Sequence, residues 1–126
     1  MSQRIMITDA FIKNNELMLI TDSKAEIADL TATGQMLVDS DQLSFIYIVE
    51  KEEGYQYISI PYGTWNVIHE GLHAGMVANL TAGEQMLKLK GFSEEMDYLI
   101  ANITGNSNYG EEMVAKVEQV FAAPSA

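Results

Sequence analysis

Apolar residues in this chain alternate with polar ones over its first half and recur with a helical period in its last third, and the change of period falls between Ile58 and Gly75. Arg4 to Ile12 and Glu16 to Thr21 are apolar and β-rich, with Lys13-Asn14-Asn15 between them. An Asn-Asn pair tolerates positive φ, so these segments predict a hairpin. A weaker strand, Glu26 to Leu30, is expected to end in a turn at Thr33-Gly34, and Gln35 to Val38 to return from it. Asp39-Ser40-Asp41 then turns the chain through short side chains that bond the backbone. The most apolar stretch is Leu43 to Val49, with Leu43, Phe45, Tyr47 and Val49 on one face and Ile46 and Ile48 on the other. That pattern predicts a central strand covered on both sides. Lys51-Glu52-Glu53-Gly54 leads into Tyr55 to Ile60, a second hairpin, so the first half reads as an antiparallel meander.

Pro61 ends this run and Thr64 offers an N-cap to a helix carrying Trp65, Ile68 and Leu72 on one face. Gly75 stands where a helix C-cap glycine belongs. Met76 to Leu80 and Glu84 to Leu89 predict a further hairpin across Thr81-Ala82-Gly83. Ser93 is the expected cap of a helix with Met96, Leu99, Ile100 and Ile103 inward, stopped by Gly105. Asn108 with Glu111 resembles a capping box opening a last helix, with Met113, Val114, Val117, Val120 and Phe121 inward. The fold expected is α+β: a meander sheet of about six to eight strands, one helix inserted after the fourth or fifth, and two C-terminal helices packed on it. Residues 1–126 form a single domain in this reading, with 122–126 as a frayed tail.

Composition narrows the function more than the fold. An apolar fraction of 48% with 2 prolines suits a packed chain of 126 residues. The absence of cysteine excludes disulfides, thiolate nucleophiles and thiolate-ligated metals. Neither a signal peptide nor an apolar run near the ~20 residues of a membrane span is visible, so a cytoplasmic protein is expected. The sequons at Asn79 and Asn102 are then silent. With 18 acidic against 7 basic residues the formal charge is −11, which disfavours nucleic acid and anionic lipid as partners. A basic protein or a cation fits better, and a homodimer is compatible with the sequence.

The strings VDSDQLSFIYIVE, YISIPYGTW and GNSNYGEEMVAKVEQVF, which span the meander and the last helix, resemble the YjbL-like family of small proteins from Gram-positive bacteria. The resemblance implies a cytoplasmic bacterial protein and carries no site residues with it.

Only one motif speaks of catalysis. His69-Glu70-Gly71-Leu72-His73 spells His-Glu-x-x-His, in which two imidazoles one helical turn apart hold zinc and the glutamate activates the metal-bound water. Catalytic zinc requires a third protein ligand, and with no further histidine or cysteine only a carboxylate such as Glu94 or Glu95 is left to supply it. Gly71 also weakens the helix that would be the scaffold, by ~1 kcal/mol relative to alanine. Asp39-Ser40-Asp41 lacks the glycine and terminal glutamate of an EF-hand, and GNSNYG lacks the lysine of a phosphate loop. Tyr47, Tyr55, Tyr57, Tyr62 and Trp65 cluster in sequence, with Tyr47 and Tyr57 as candidate cross-strand neighbours. The leading expectation is a non-enzymatic binding or adaptor protein, without cofactor, that contacts a partner protein through Tyr55, Tyr57, Tyr62 and Trp65. The alternatives are a small zinc hydrolase using His69, His73 and Glu70, and a domain that binds a small molecule between sheet and helices.

Overall fold

A computed structural model describes residues 4–22, 24–52 and 54–121. Its strands are β1 (Arg4–Met6), β2 (Asp9–Lys13), β3 (Glu16–Ile20), β4 (Thr31–Asp39), β5 (Ser44–Lys51), β6 (Gly54–Pro61), β7 (Ala78–Ala82) and β8 (Gln85–Lys88). The helices are α1 (Trp65–His73), α2 (Phe92–Ile103) and α3 (Glu111–Phe121). The α+β class holds. The strands form two four-stranded sheets, β1-β6-β5-β4 and β2-β3-β7-β8, in place of one antiparallel meander. β1 runs parallel to β6 and β3 parallel to β7. The inserted helix follows the sixth strand, where the fourth or fifth was expected.

That division is at Ile7 and Thr8. The Ile7 N–H donates to Ser59 O and the Thr8 N–H to Ile20 O, so the chain leaves one sheet and enters the other within two residues. Ile5 and Ile7 before this step and Ala10 and Ile12 after it face one shared core, with the exposed pair Thr8-Asp9 between them. Asn14 and Asn15, at φ 53° and 63°, make the tight turn from β2 to β3 as their side chains allow.

Two further expectations give way for local reasons. Glu26 to Leu30 is not a strand: the Gln85 side chain accepts from the N–H groups of Ile27 and Ala28 and donates to Ala25 O, pinning the segment as turns. Ile27 and Leu30 are buried, so their apolar character records burial without sheet pairing. Thr33-Gly34 does not separate two strands but forms a bulge inside β4, where the register with β5 shifts. Gly34 takes φ 78° there, and Thr33 Oγ1 donates to Ile48 O across the irregularity.

The helix caps also differ from the sequence reading. A 3-10 turn, Tyr62–Thr64, precedes α1, and Thr64 Oγ1 donates back to Pro61 O without capping the helix. Gly75 does end α1: its N–H reaches Leu72 O and that of Met76 reaches Gly71 O, a Schellman pair with Gly75 at φ 71°. α2 begins at Phe92, with Gly91 at φ 72° in the capping position and Ser93 already helical. The Asn108 capping box does not form, since Ser107–Tyr109 is a 3-10 turn and Gly110 precedes α3. Glu53, in the expected turn before β6, and residues 122–126 lie outside the described residues.

The core gathers the inner faces of both sheets with Trp65 and Ile68 of α1, Phe92, Met96, Leu99 and Ile103 of α2, and Met113, Val117 and Val120 of α3. β5 is central in its sheet, as expected, and Ser44 and Ile46 on its second face are buried as well. Phe45, Tyr47 and Val49 face this core, whereas Ser44, Ile46 and Ile48 share the opposite, outer face with Tyr57 and Ser59 of β6 and Leu37 and Asp39 of β4.

Candidate functional site

α1 places the His-Glu-x-x-His residues on its solvent side. His73 and Glu70 are exposed and His69 is half-buried, edge-on to Phe121 at 5.8 Å between ring centroids. The two imidazoles stand 6.4 Å apart and line a cleft of about 250 Å³ with Leu72, Asp97, Ile100, Ala101 and Phe121. Asp97, not Glu94 or Glu95, is the carboxylate of that cleft, and Glu70 does not line it. Among the described residues no three His, Asp or Glu side chains come close enough to hold a metal ion. Gly71 has a structural use that the sequence reading counted only as a cost. A Cβ at this position would lie 3.3 Å from Leu17 Cδ1 and 3.4 Å from Leu17 Cβ, so the missing side chain lets α1 sit directly on β3.

The four aromatics expected at an interface are not brought together. Trp65 is wholly buried, its Nε1 donates to Ile60 O at 3.1 Å, and it touches Phe45, Tyr62 and Phe121. It belongs to the core. Tyr62 is half-buried with the Lys116 ammonium 5.0 Å from its ring centroid. Tyr55 is exposed near the β5–β6 turn. Tyr57 pairs with Ile48, while Tyr47 pairs with Ile58, so the two tyrosines lie on opposite faces and are not cross-strand neighbours. Tyr57 lines an open cleft on the outer face of the first sheet.

This face carries a constellation that the sequence reading missed. Arg4 on edge strand β1 forms an ion pair of 2.7 Å with Asp39 at the end of the other edge strand, β4. Edge strands three spacings apart lie about 14 Å from one another in a flat sheet. The two residues are also out of step: Arg4 is opposite Tyr57, whereas Asp39 is opposite Ser44 and, through it, Pro61. An arginine reaches that far only because the sheet is coiled along this diagonal, and its outer face is therefore a trough.

Two clefts meet beneath the ion pair. One, about 450 Å³, is lined by Leu37, Val38, Ile46 and Tyr57, and the other, about 580 Å³, by Met6, Gln42, Ser44, Ser59 and Pro61. Arg4, Asp39 and Asp41 line both. Met6 and Leu37 stand on either side with half of their surface exposed, while Ile46, Ser44 and Ser59 form the buried floor. The Ser59 hydroxyl is the one buried side-chain polar atom without a hydrogen-bond partner among the described residues. Leaving such a group unpaired costs about 1–3 kcal/mol. Small polar residues at Ser44 and Ser59, inside otherwise apolar strands, were the available signal for this floor.

The comparisons with known proteins give a family and no activity. A UPF0738 protein of Bacillus cereus strain B4264 is 39% identical over 122 residues, covering 96% of this chain and 99% of the relative. A UPF0738 protein of Bacillus mycoides strain KBAB4 is 38% identical, and one of Bacillus thuringiensis strain Al Hakam 39%, over the same lengths. No solved structure matches the chain. The model of UPF0738, a family of unknown function, matches residues 5–121, and the chain, as expected of a small uncharacterised Gram-positive family, belongs to it.

Proposed function

We propose that this is a non-catalytic, cytoplasmic binding protein that contacts a partner protein through the trough on the outer face of the β1-β6-β5-β4 sheet. The observation that carries this reading is Ser59, wholly buried on the floor of an open cleft and without a hydrogen-bond partner among the described residues. A fold maintains such a hydroxyl at a cost, and a ligand that bonds it recovers that cost. The apolar rim of Met6 and Leu37 beside Tyr57 is the mixed apolar and aromatic surface that interfaces favour. Of the aromatics first expected there, Tyr57 belongs to this surface and Trp65, which has no exposed surface, does not. For the compartment, the support is that no described helix is long and apolar enough to cross a membrane and that the chain has no cysteine.

The test is a photo-crosslinking residue introduced at Leu37, with the same probe at Met86, which is exposed on the other sheet, as the control. Adducts with a discrete protein in bacterial cells at Leu37, and not at Met86, support the reading. Adducts at Met86 alone overturn it. A small-molecule adduct at Leu37 would put a metabolite in place of the partner protein. Stoichiometric zinc in untagged protein, with peptide cleavage that depends on Glu70, would replace the reading with the hydrolase one.

A further inference from the structure

We infer that the trough takes an arginine or lysine side chain presented on an apolar segment of a partner protein, and that Arg4 occupies the place of that side chain in the free molecule. This rests on the trough being the binding surface and adds the class of ligand it recognises.

Charge sets the sign. Arg4 is the one basic residue lining either cleft, against Asp39 and Asp41, in a chain of formal charge −11. An anionic group entering here would meet both carboxylates and the field of the whole molecule, whereas a cationic one is drawn toward it. Asp39 and Asp41 do not make a site by themselves. The wholly buried hydroxyl of Ser59 on the same floor, unpartnered among the described residues, is the independent observation, and it can accept a hydrogen bond from an ammonium or guanidinium.

The remaining surroundings suit such a side chain and the segment bearing it. Tyr57 stands directly opposite Arg4 in the β1–β6 register and lines the same cleft, offering an aromatic face to a cation. Met6 and Leu37, each 50% exposed, and buried Ile46 give apolar flanking residues a place to rest. These apolar contacts favour a protein segment over a free cation as the source of the charge.

Arg4 imitates the ligand imperfectly, which is what a displaceable latch requires. It sits on a three-residue edge strand, makes one contact to Asp39, and keeps 40% of its side chain exposed. Exposed ion pairs of this kind are weak, so a ligand with additional apolar contacts can displace the arginine.

Amide chemical shifts of the full chain, titrated with acetyl-Leu-Arg-Leu-amide, acetyl-Leu-Glu-Leu-amide and arginine amide, provide the test. The expected result is saturable shifts at Asp39, Ser44, Tyr57 and Ser59 with the arginine peptide, weakening as salt screens the charges. Arg4→Ala should bind that peptide about two- to fivefold more tightly, because the internal competitor is gone. Asp41→Asn, a change at an exposed turn residue that leaves the spectrum of a folded protein, should bind it more weakly. Binding of the glutamate peptide instead, lost in Arg4→Ala, overturns the cationic class and leaves the trough as the site. No shift with any probe overturns the cationic ligand, and crosslinking at Leu37 then decides separately whether the trough binds anything. Arginine amide binding as tightly as its peptide overturns the partner segment as the source.

Discussion

The hydroxyl of Tyr47 donates to the Lys90 carbonyl at 2.6 Å and accepts the Gly34 N–H at 3.1 Å. One side chain of β5 thus ties the bulge in β4 to Lys90, two residues before α2. The two sheets share no ladder here. Gly91 crosses beside Gly34, and both take positive φ, 72° and 78°, so the phenol sits at a crossing whose backbone conformation favours glycine.

Tyr47→Phe therefore removes more than a hydroxyl. It leaves the Gly34 N–H and the Lys90 carbonyl without their partner beside a buried ring, at a cost of about 1–3 kcal/mol. Urea denaturation should show a lower midpoint with an unchanged slope, the signature of lost stability in an otherwise similar fold. An unchanged midpoint would mean that water replaces the hydroxyl at no cost.

The same group gives the alkaline limit of stability. Burial, chiefly, pushes the Tyr47 phenol above its ordinary value of 10.0; the Gly34 N–H opposes this and the Glu95 carboxylate adds to it. With the folded value raised above the unfolded one, the contribution is complete below pH 10 and is lost as pH rises through the folded value. Wild-type protein should thus lose stability above about pH 10 more steeply than Tyr47→Phe, as followed by thermal unfolding across that range.

Gly71→Ala sets helix propensity against packing. Alanine gains ~1 kcal/mol as a helix former. Its methyl must also fit 3.3 Å from a Leu17 side chain that is itself fully buried. Overpacking of this kind costs about 1–3 kcal/mol, so the net change should be a modest loss of stability. In a double-mutant cycle with Leu17→Ala the two changes should be non-additive, the second partly relieving the first. Additive effects would place the strain elsewhere.

How much of this was legible in the sequence varies with the range of the interactions. The strands from Leu43 to Ile60, the Asn14-Asn15 turn and the Gly75 cap were readable because alternation, positive φ and capping act between near neighbours. The division at Ile7 was not, because both sheets face the same core and its one mark is a single-residue slip of the inward positions, from Ile5 and Ile7 to Ala10 and Ile12, across Thr8-Asp9. Glu26 to Leu30 misled for a related reason: a glutamine about sixty residues away, not a neighbouring strand, satisfies its backbone. The trough escaped notice because it depends on coiling that brings Arg4 to Asp39, two residues 35 apart in sequence. The histidines were conspicuous as letters, yet the side chain of this neighbourhood with the deepest packing is Trp65.

The histidine pair itself yields a prediction that separates packing from coordination. His69 rests edge-on against Phe121 and is half-buried, whereas His73 and Glu70 are exposed. If only packing acts, His69→Ala should cost about 0.5–1.5 kcal/mol through the lost aromatic contact. His73→Ala and Glu70→Ala should stay within about 0.5 kcal/mol of wild type, as surface changes do. A structural or catalytic metal would instead couple the two histidines, and each single change would remove most of the stabilisation that added zinc confers. Thermal unfolding of wild type and the three variants, with and without zinc, distinguishes the cases. Equal, zinc-dependent losses at His69 and His73 would restore the metal centre; a loss at His69 alone, indifferent to zinc, assigns this residue to the α1–α3 contact.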